Sequence, residues 1–335
     1  MTSRERIRAI VAGEPADRCG FWLGNPHRDT WPILHEAFGI PDQAGVRRWL
    51  GDDLAWLPAS GYRHPDGLPM FDYGLSTMEL SAGGAALRDC ETVAQVDAFP
   101  WPDPQYFDFS DNLARLRAAG DLYRCGGMWS PFFHIVADFL GMENYFVRMY
   151  THPEVVHAVT RHVVDAFLAG NRLLFEQAGD EVDAFFFGND FGTQLDLLIS
   201  PDMFREFVAP YFRELVSCAK DYGRQVVLHS CGAIARVIPD LLAMGVDALH
   251  PLQARAMGMS AEELAHAFGG RVGFIGAVDT QDLLVHGTPD EVRAEVRRLK
   301  RILGPRLVVS PSHEAVLPDV PPANLVAMAE ETRVA

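Results

Sequence analysis

The sequence predicts an α/β fold, a single closed (β/α)8 barrel over residues 1–335, on three observations. From about residue 121 onward, short apolar runs alternate with amphipathic helical segments. Two earlier runs and six later ones bring the strand count to eight. No Gly-x-Gly-x-x-Gly turn follows the first run, which weighs against a doubly wound open sheet. Strands that feed helices through short links build parallel sheets, and eight of them over this length point to closure.

Taken in order, MTSRERIRAIVAGEPADR reads as a polar helix and its exit, followed by the strand CGFW (19–22). DLAWLPA (53–59) is the second strand. Residues 60–110 leave the rhythm: GYRHPDGLPMFDYGLSTMELSAGGAALRDC is rich in Gly, Pro and Asp and reads as an inserted excursion with one or more hairpins. It is either a lid over the barrel mouth or a plain surface loop, and PWPDP (100–104) closes it as a rigid connector. LYRCGG (122–127) is the third strand and 153–179 a long helix with apolar residues at 3–4 spacing. AFFFG (184–188) leads to a helix over 201–223, capped by Ser200-Pro201-Asp202 and stopped by Gly223. QVVLHS (225–230), VDALHP (246–251), RVGFIGAV (271–278) and LVVSPS (307–312) complete the strands. Helices over 236–245, 260–270, 288–304 and 321–331 alternate with them, the second opened by a capping-box pair, Ser260 and Glu263.

A formal charge of −16 argues against nucleic acid and anionic membrane surfaces as partners, because both select basic faces. No run approaches the ~18 apolar residues that a membrane helix needs. The start has no signal-peptide apolar stretch, and the five cysteines (19, 90, 125, 218, 231) are scattered and odd in number. A reducing cytoplasm is therefore expected, with the Cys231 thiol available. Oligomeric state is open.

Barrels of this kind gather chemistry at the carboxyl ends of their strands. Asn189 and Asp190 follow the fourth strand, His229, Ser230 and Cys231 the fifth, and His250 with Gln253 the sixth. Asp279 follows the seventh, and Ser312, His313 and Glu314 the eighth. In extended chain the i and i+2 side chains point the same way, so His229 and Cys231 can reach one ion, or they form a buried hydrogen-bonded pair. Zinc takes Cys sulfur and His nitrogen, and His313 is the best-placed third ligand, leaving a fourth corner open as catalytic sites do. Asp190 is expected either to act as an outer carboxylate or general acid/base, or to cap the turn at Gly192. Glu314 is a further ligand, a base or a solvated loop acid, and His250 either lines the pocket or is a satisfied core histidine. His152, His157 and His162 recur at 5-residue spacing, share no helix face and read as surface or packing residues. Cys125, with its Gly neighbours, reads as packing.

Five stretches together resemble the uroporphyrinogen decarboxylase superfamily: GNDFGTQ (188–194), SPDMFREFVAP (200–210), LHSCGAI (228–234), GVDALHPLQ (245–253) and SPSHEAVLPDVPPANLVAM (310–328). RIRAIVAGEPADR and FPWPDP fit the same pattern, so the likeness spans nearly the whole chain and implies a TIM-barrel fold. In that superfamily the decarboxylases bind a tetracarboxylate tetrapyrrole without metal, through an aspartate after an early strand and an arginine-rich glycine loop. Here the second strand runs into WLPASG (56–61), with no aspartate, and GNPHRDT (24–30) keeps one arginine, Arg28. The other branch comprises methyltransferases that hold zinc through His-x-Cys and a later cysteine and pass methyl groups to a corrinoid protein or a thiol. His229 and Cys231 match the first two ligands, while the third position is occupied by His313.

The resemblance therefore implies a zinc-dependent methyltransferase. It would move a methyl group from a small methoxy or N/S-methylated donor to cobalamin on a separate corrinoid protein, or to a thiol. No Asp-x-His-x-x-Gly cobalamin motif is present in the chain, which places any corrinoid on a partner. His229, Cys231 and His313 are the expected zinc ligands, with Asp190 and Glu314 in catalysis. Arg28, Asn189, Gln194, His250 and Gln253 are the expected substrate contacts. Two alternatives stand beside this reading: a cofactor-independent decarboxylase or lyase with Arg28 on a carboxylate, and a non-catalytic tetrapyrrole- or corrinoid-binding barrel.

Overall fold

A computed structural model describes residues 1–71 and 85–334. Eight parallel strands form one sheet in the order β1-β8-β7-β6-β5-β4-β3-β2 and curl into a barrel ringed by helices. The strands are β1 (Gly20–Phe21), β2 (Leu54–Trp56), β3 (Tyr123–Gly126), β4 (Ala184–Gly188), β5 (Gln225–His229), β6 (Ala248–His250), β7 (Gly273–Val278) and β8 (Leu307–Pro311). Each lies within one of the eight apolar runs predicted from sequence.

The all-apolar character of β4 follows from its being buried on both faces. Phe186 points inward to pack with Trp22, Val227, Ala248 and Ile275, while Phe185 and Phe187 belong to the larger core under the helices. The helix Ser3–Ala12 plugs the amino end of the barrel with Ile7, Ile10 and Val11, which join the inner core.

Closure between β1 and β2 is made differently from the other seven junctions. Only one backbone bond crosses there, from Asp53 N–H to the Phe21 carbonyl at 2.9 Å. Carboxylates supply the rest: Asp53 accepts the Phe21 N–H at 2.9 Å and Asp52 accepts the Leu23 N–H at 2.7 Å. Arg6 and Arg18 each reach Asp53 at 2.8 Å, and Arg47 reaches Asp52 at 2.7 Å. The seam is a buried ionic strip.

Three expectations need amendment. The helix over 201–223 is two helices, Pro201–Phe207 and Ala209–Asp221, broken at Val208. Pro210 has no N–H to return to Glu206, and its ring crowds that carbonyl, so the chain kinks there. Two helices, Phe132–Leu140 and Met142–Thr151, fill the stretch after β3 where sequence periodicity had assigned nothing. In the excursion, Tyr62 and Phe107 meet in one antiparallel bridge, and short helices follow at Val93–Asp97 and Ser110–Ala118. The lid expectation falls in part on residues 72–84, outside the described residues. Among the described residues no helix is long and apolar enough to cross a membrane.

Candidate functional site

The carboxyl ends of β4, β5, β6 and β8 converge on His229, a buried imidazole at the last position of β5. Ladder pairing sets Gly188 of β4 beside His229 and His229 beside His250 of β6, so the residues that follow each strand meet above the barrel core. Below them lies an aromatic floor. Phe186 touches His250 and Trp22 with ring centroids 5.2 and 5.9 Å apart, and Trp129 meets His229 edge-on at 5.3 Å.

The two His229 nitrogens face two sets of partners. Nε2 lies 3.4 Å from Cys231 Sγ and 3.3 Å from Asp190 Oδ1. Nδ1 lies 2.9 Å from His250 Nδ1 and 3.5 Å from Glu314 Oε2. Asp190, His229 and Cys231 thus form one group whose ligand atoms all lie within 4.8 Å, and His229, His250 and Glu314 form a second. The loop that carries Cys231 is fixed from both sides: Cys231 N–H donates to Asp190 at 2.8 Å, and Gly232 N–H donates to Gln253 Oε1 at 2.9 Å. Gly232 has φ +88°, and a Cβ there would stand 2.3 Å from the Gly192 backbone, so the close approach of the β4 and β5 loops requires glycine.

Electrostatics follow from burial and these contacts. Burial would raise the Asp190 pKa, but the His229 hydrogen bond and charge, the Cys231 N–H and His134 outweigh it and hold the carboxyl at about 2. Burial, reinforced by the Asp190 and Glu314 carboxylates, pushes the Cys231 thiol well up. Burial and the neighbouring His229 and His313 push His250 down, so that ring is neutral at pH 7. A single proton then serves the Nδ1–Nδ1 contact. Whichever ring supplies that proton, His229 Nε2 stays turned toward Cys231 and Asp190.

The family model for uroporphyrinogen decarboxylase (URO-D) matches residues 89–334. The chain belongs to this family. The chain is similar to the methylated-thiol–coenzyme M methyltransferase of Methanosarcina mazei, 27% identical over 165 residues that cover 49% of this chain and 41% of that one. It is also similar to the uroporphyrinogen decarboxylase of Chlorobium phaeobacteroides, 27% identical over 217 residues, 61% of this chain and 57% of the relative. These two alignments span only about half of the relatives' own lengths. The enzyme of that name from Prochlorococcus marinus is 26% identical over 320 residues, covering 89% and 84%. A solved methyltransferase from Methanosarcina mazei superposes with a TM-score of 0.70 over 99% of this chain and 98% of its own, at 17% identity, and shows the shared fold.

The remaining residues singled out from sequence are placed unequally. His313 stands outside both ligand groups: its ring centroid is 6.4 Å from that of His229, and its Nδ1 accepts the Ala315 N–H at 3.1 Å. Asn189 is buried with its amide committed, accepting from Phe133 N–H at 3.0 Å and donating to the Ser130 carbonyl at 3.1 Å. Gln194 is exposed and bonds Gln253 at 3.1 Å. Arg28 is 85% exposed and sits 3.5 Å from Asp29, and none of its described contacts reaches the cluster. Two residues escaped the sequence reading. Trp129 lies three residues beyond the end of β3, so the strand-end rule could have found it. His134, whose buried Nδ1 has no partner, lies inside a helix and carries no such signal.

Proposed function

We propose that this chain is a zinc-dependent methyltransferase that takes a methyl group from a small methoxy or N/S-methylated donor and delivers it to cobalamin on a separate corrinoid protein. The observation that carries the proposal is the Asp190–His229–Cys231 group at the barrel mouth, with His250 and Glu314 behind it. Sulfur, imidazole nitrogen and carboxylate oxygen are the donor set zinc takes, at ~2.0–2.3 Å. Two further features fit a cation here: Glu314 Oε2, 3.5 Å from His229 Nδ1, is buried without a hydrogen-bond partner, and the Cys231 thiol is held neutral by burial and by the two carboxylates beside it.

His229, Cys231 and Asp190 would hold the ion, with Glu314 and His313 as neighbours able to complete or flank the set. When bound, zinc supplies a Lewis acid that makes the donor's heteroatom a better leaving group. The protein's own part is orientation. His250 holds the His229 ring through Nδ1 and so aims Nε2 at the thiol, Asp190 fixes the Cys231 backbone, and Gln253 fixes Gly232. Asp190, with its carboxyl held at about 2, stays ionised at neutral pH and gives the site a standing negative charge.

Family membership and the Prochlorococcus relative favour a second reading, decarboxylation. A polycarboxylate needs free cations, and among the described residues of the loops around the mouth Arg28 sits with Asp29, Arg63 with Asp111, Arg236 with Asp196 and Arg255 with Asp279. Elemental analysis of purified protein and of Cys231→Ala separates the two. The methyltransferase reading expects about one zinc per chain, lost or much weakened in the variant. Full activity after exhaustive chelation, or unchanged zinc in Cys231→Ala, would count against it.

A further inference from the structure

A cavity of about 540 Å³ opens between the loops that follow β6, β7 and β8. It adjoins the metal-ligating group through two of its own walls. Gln253 lines it while bonding the residue after Cys231, and His313 lines it while standing beside His229. Gln253, Thr280, Gln281 and Ser312 share its wall with the apolar Val285, Leu317 and Val320.

The charged groups in the wall lean one way. Arg255 is half exposed, yet its guanidinium is already doubly paired, to Asp279 at 2.8 Å and Asp282 at 2.7 Å. Asp319 lines the same cavity and makes no ion pair among the described residues. The remaining ionisable wall groups are His286 and His313. Arg255 is thus matched by two carboxylates beside the wall, Asp279 and Asp282, and Asp319 adds a third within the wall itself. A carboxylate ligand would have to take Arg255 from two aspartates and sit near a third acid, whereas an ammonium would find Asp319 open.

We infer that this cavity receives the methyl donor and sorts donors by charge, favouring cationic over neutral molecules and turning carboxylates away. The inference rests on the methyl-transfer reading for the word donor, but its physical content is the charge order of binding. Arg255, held by its two aspartates, is the residue that sets the order.

Three methoxy compounds of nearly equal size test it: 2-methoxyethylamine, 2-methoxyethanol and methoxyacetate. Binding to the full chain is followed by ligand-observed NMR, and methyl transfer by the absorbance of reduced cobalamin. The expected order is amine, then alcohol, then acid, with the acid weaker than the amine by at least about tenfold. Asp279→Asn combined with Asp282→Asn frees Arg255 and should narrow that gap by about tenfold, while the alcohol shifts little. Should that double variant fold poorly, Arg255→Met serves instead and should widen the gap. Methoxyacetate binding as well as the alcohol, a gap indifferent to these variants, or binding of none of the three would overturn the inference. The charge order without any methyl transfer would sink the methyltransferase reading and leave the sorting intact; transfer without the order would do the reverse.

Discussion

Asp190 is the side chain on which the two functions of the site, holding a cation and holding a loop, are joined. Its Oδ1 accepts the Cys231 N–H and lies within reach of His229 Nε2. Asp190→Asn keeps an acceptor for the amide but removes the charge. The fold should survive, because asparagine fills the same volume and the backbone bond remains. Zinc affinity should fall by more than the roughly 10- to 100-fold that loss of a ligand's outer partner costs, because one of the three proposed ligands is itself lost. Competition with a chromophoric chelator reads this directly. Equal affinity in the two proteins would make Asp190 a loop-capping residue only, the other role its position before Gly192 allows.

The β6 and β7 segments show how tightly the backbone is drawn around that side-chain cluster. Gly276, inside β7, has φ +126°, and a Cβ there would lie 1.8 Å from the Pro251 carbonyl oxygen. Ala277 follows with φ +78° and donates its N–H to the same carbonyl at 3.1 Å. Gly276→Ala must therefore push the two segments apart, and a loss of roughly 3 kcal/mol or more is expected in denaturant unfolding. A loss under about 1 kcal/mol would mean the strands separate easily. Constraints of this kind explain what the sequence could and could not tell. Strand positions were legible because β4 through β8 are buried on both faces and read as continuous apolar runs. The meeting of His229 and Cys231 with Asp190 was legible from the i, i+2 geometry and the strand-end rule. The break at Val208 is encoded by Pro210 but masked by apolar spacing that continues through it. That Glu314 Oε2, and not an imidazole nitrogen of His313, lies within ligand distance of His229 depends on how the loop after β8 turns, which no periodicity encodes. The commitment of Asn189 to Ser130 and Phe133 depends on a helix that the periodicity did not assign.

At the scale of the whole barrel, the weak place is the β1–β2 seam, where buried carboxylates stand in for a hydrogen-bonded ladder. Burial raises the Asp52 pKa to about 6, even though Arg47 and the Leu23 N–H pull it down. An acid whose folded pKa lies above its unfolded value binds protons more tightly when folded, so its contribution favours the folded state at low pH and is lost as pH climbs through about 4 to 6. Between pH 5 and pH 7.5 this one group should lower stability by on the order of 1 kcal/mol. Asp52→Asn retains an acceptor for Leu23 but cannot titrate. Urea unfolding of both proteins at the two pH values isolates the effect, since every other titrating group is common to them. The native protein should lose more stability over that interval than the variant does. If the two lose the same amount, Asp52 remains ionised throughout, and the barrel closes on a permanent ion pair with Arg47 rather than on a protonatable one.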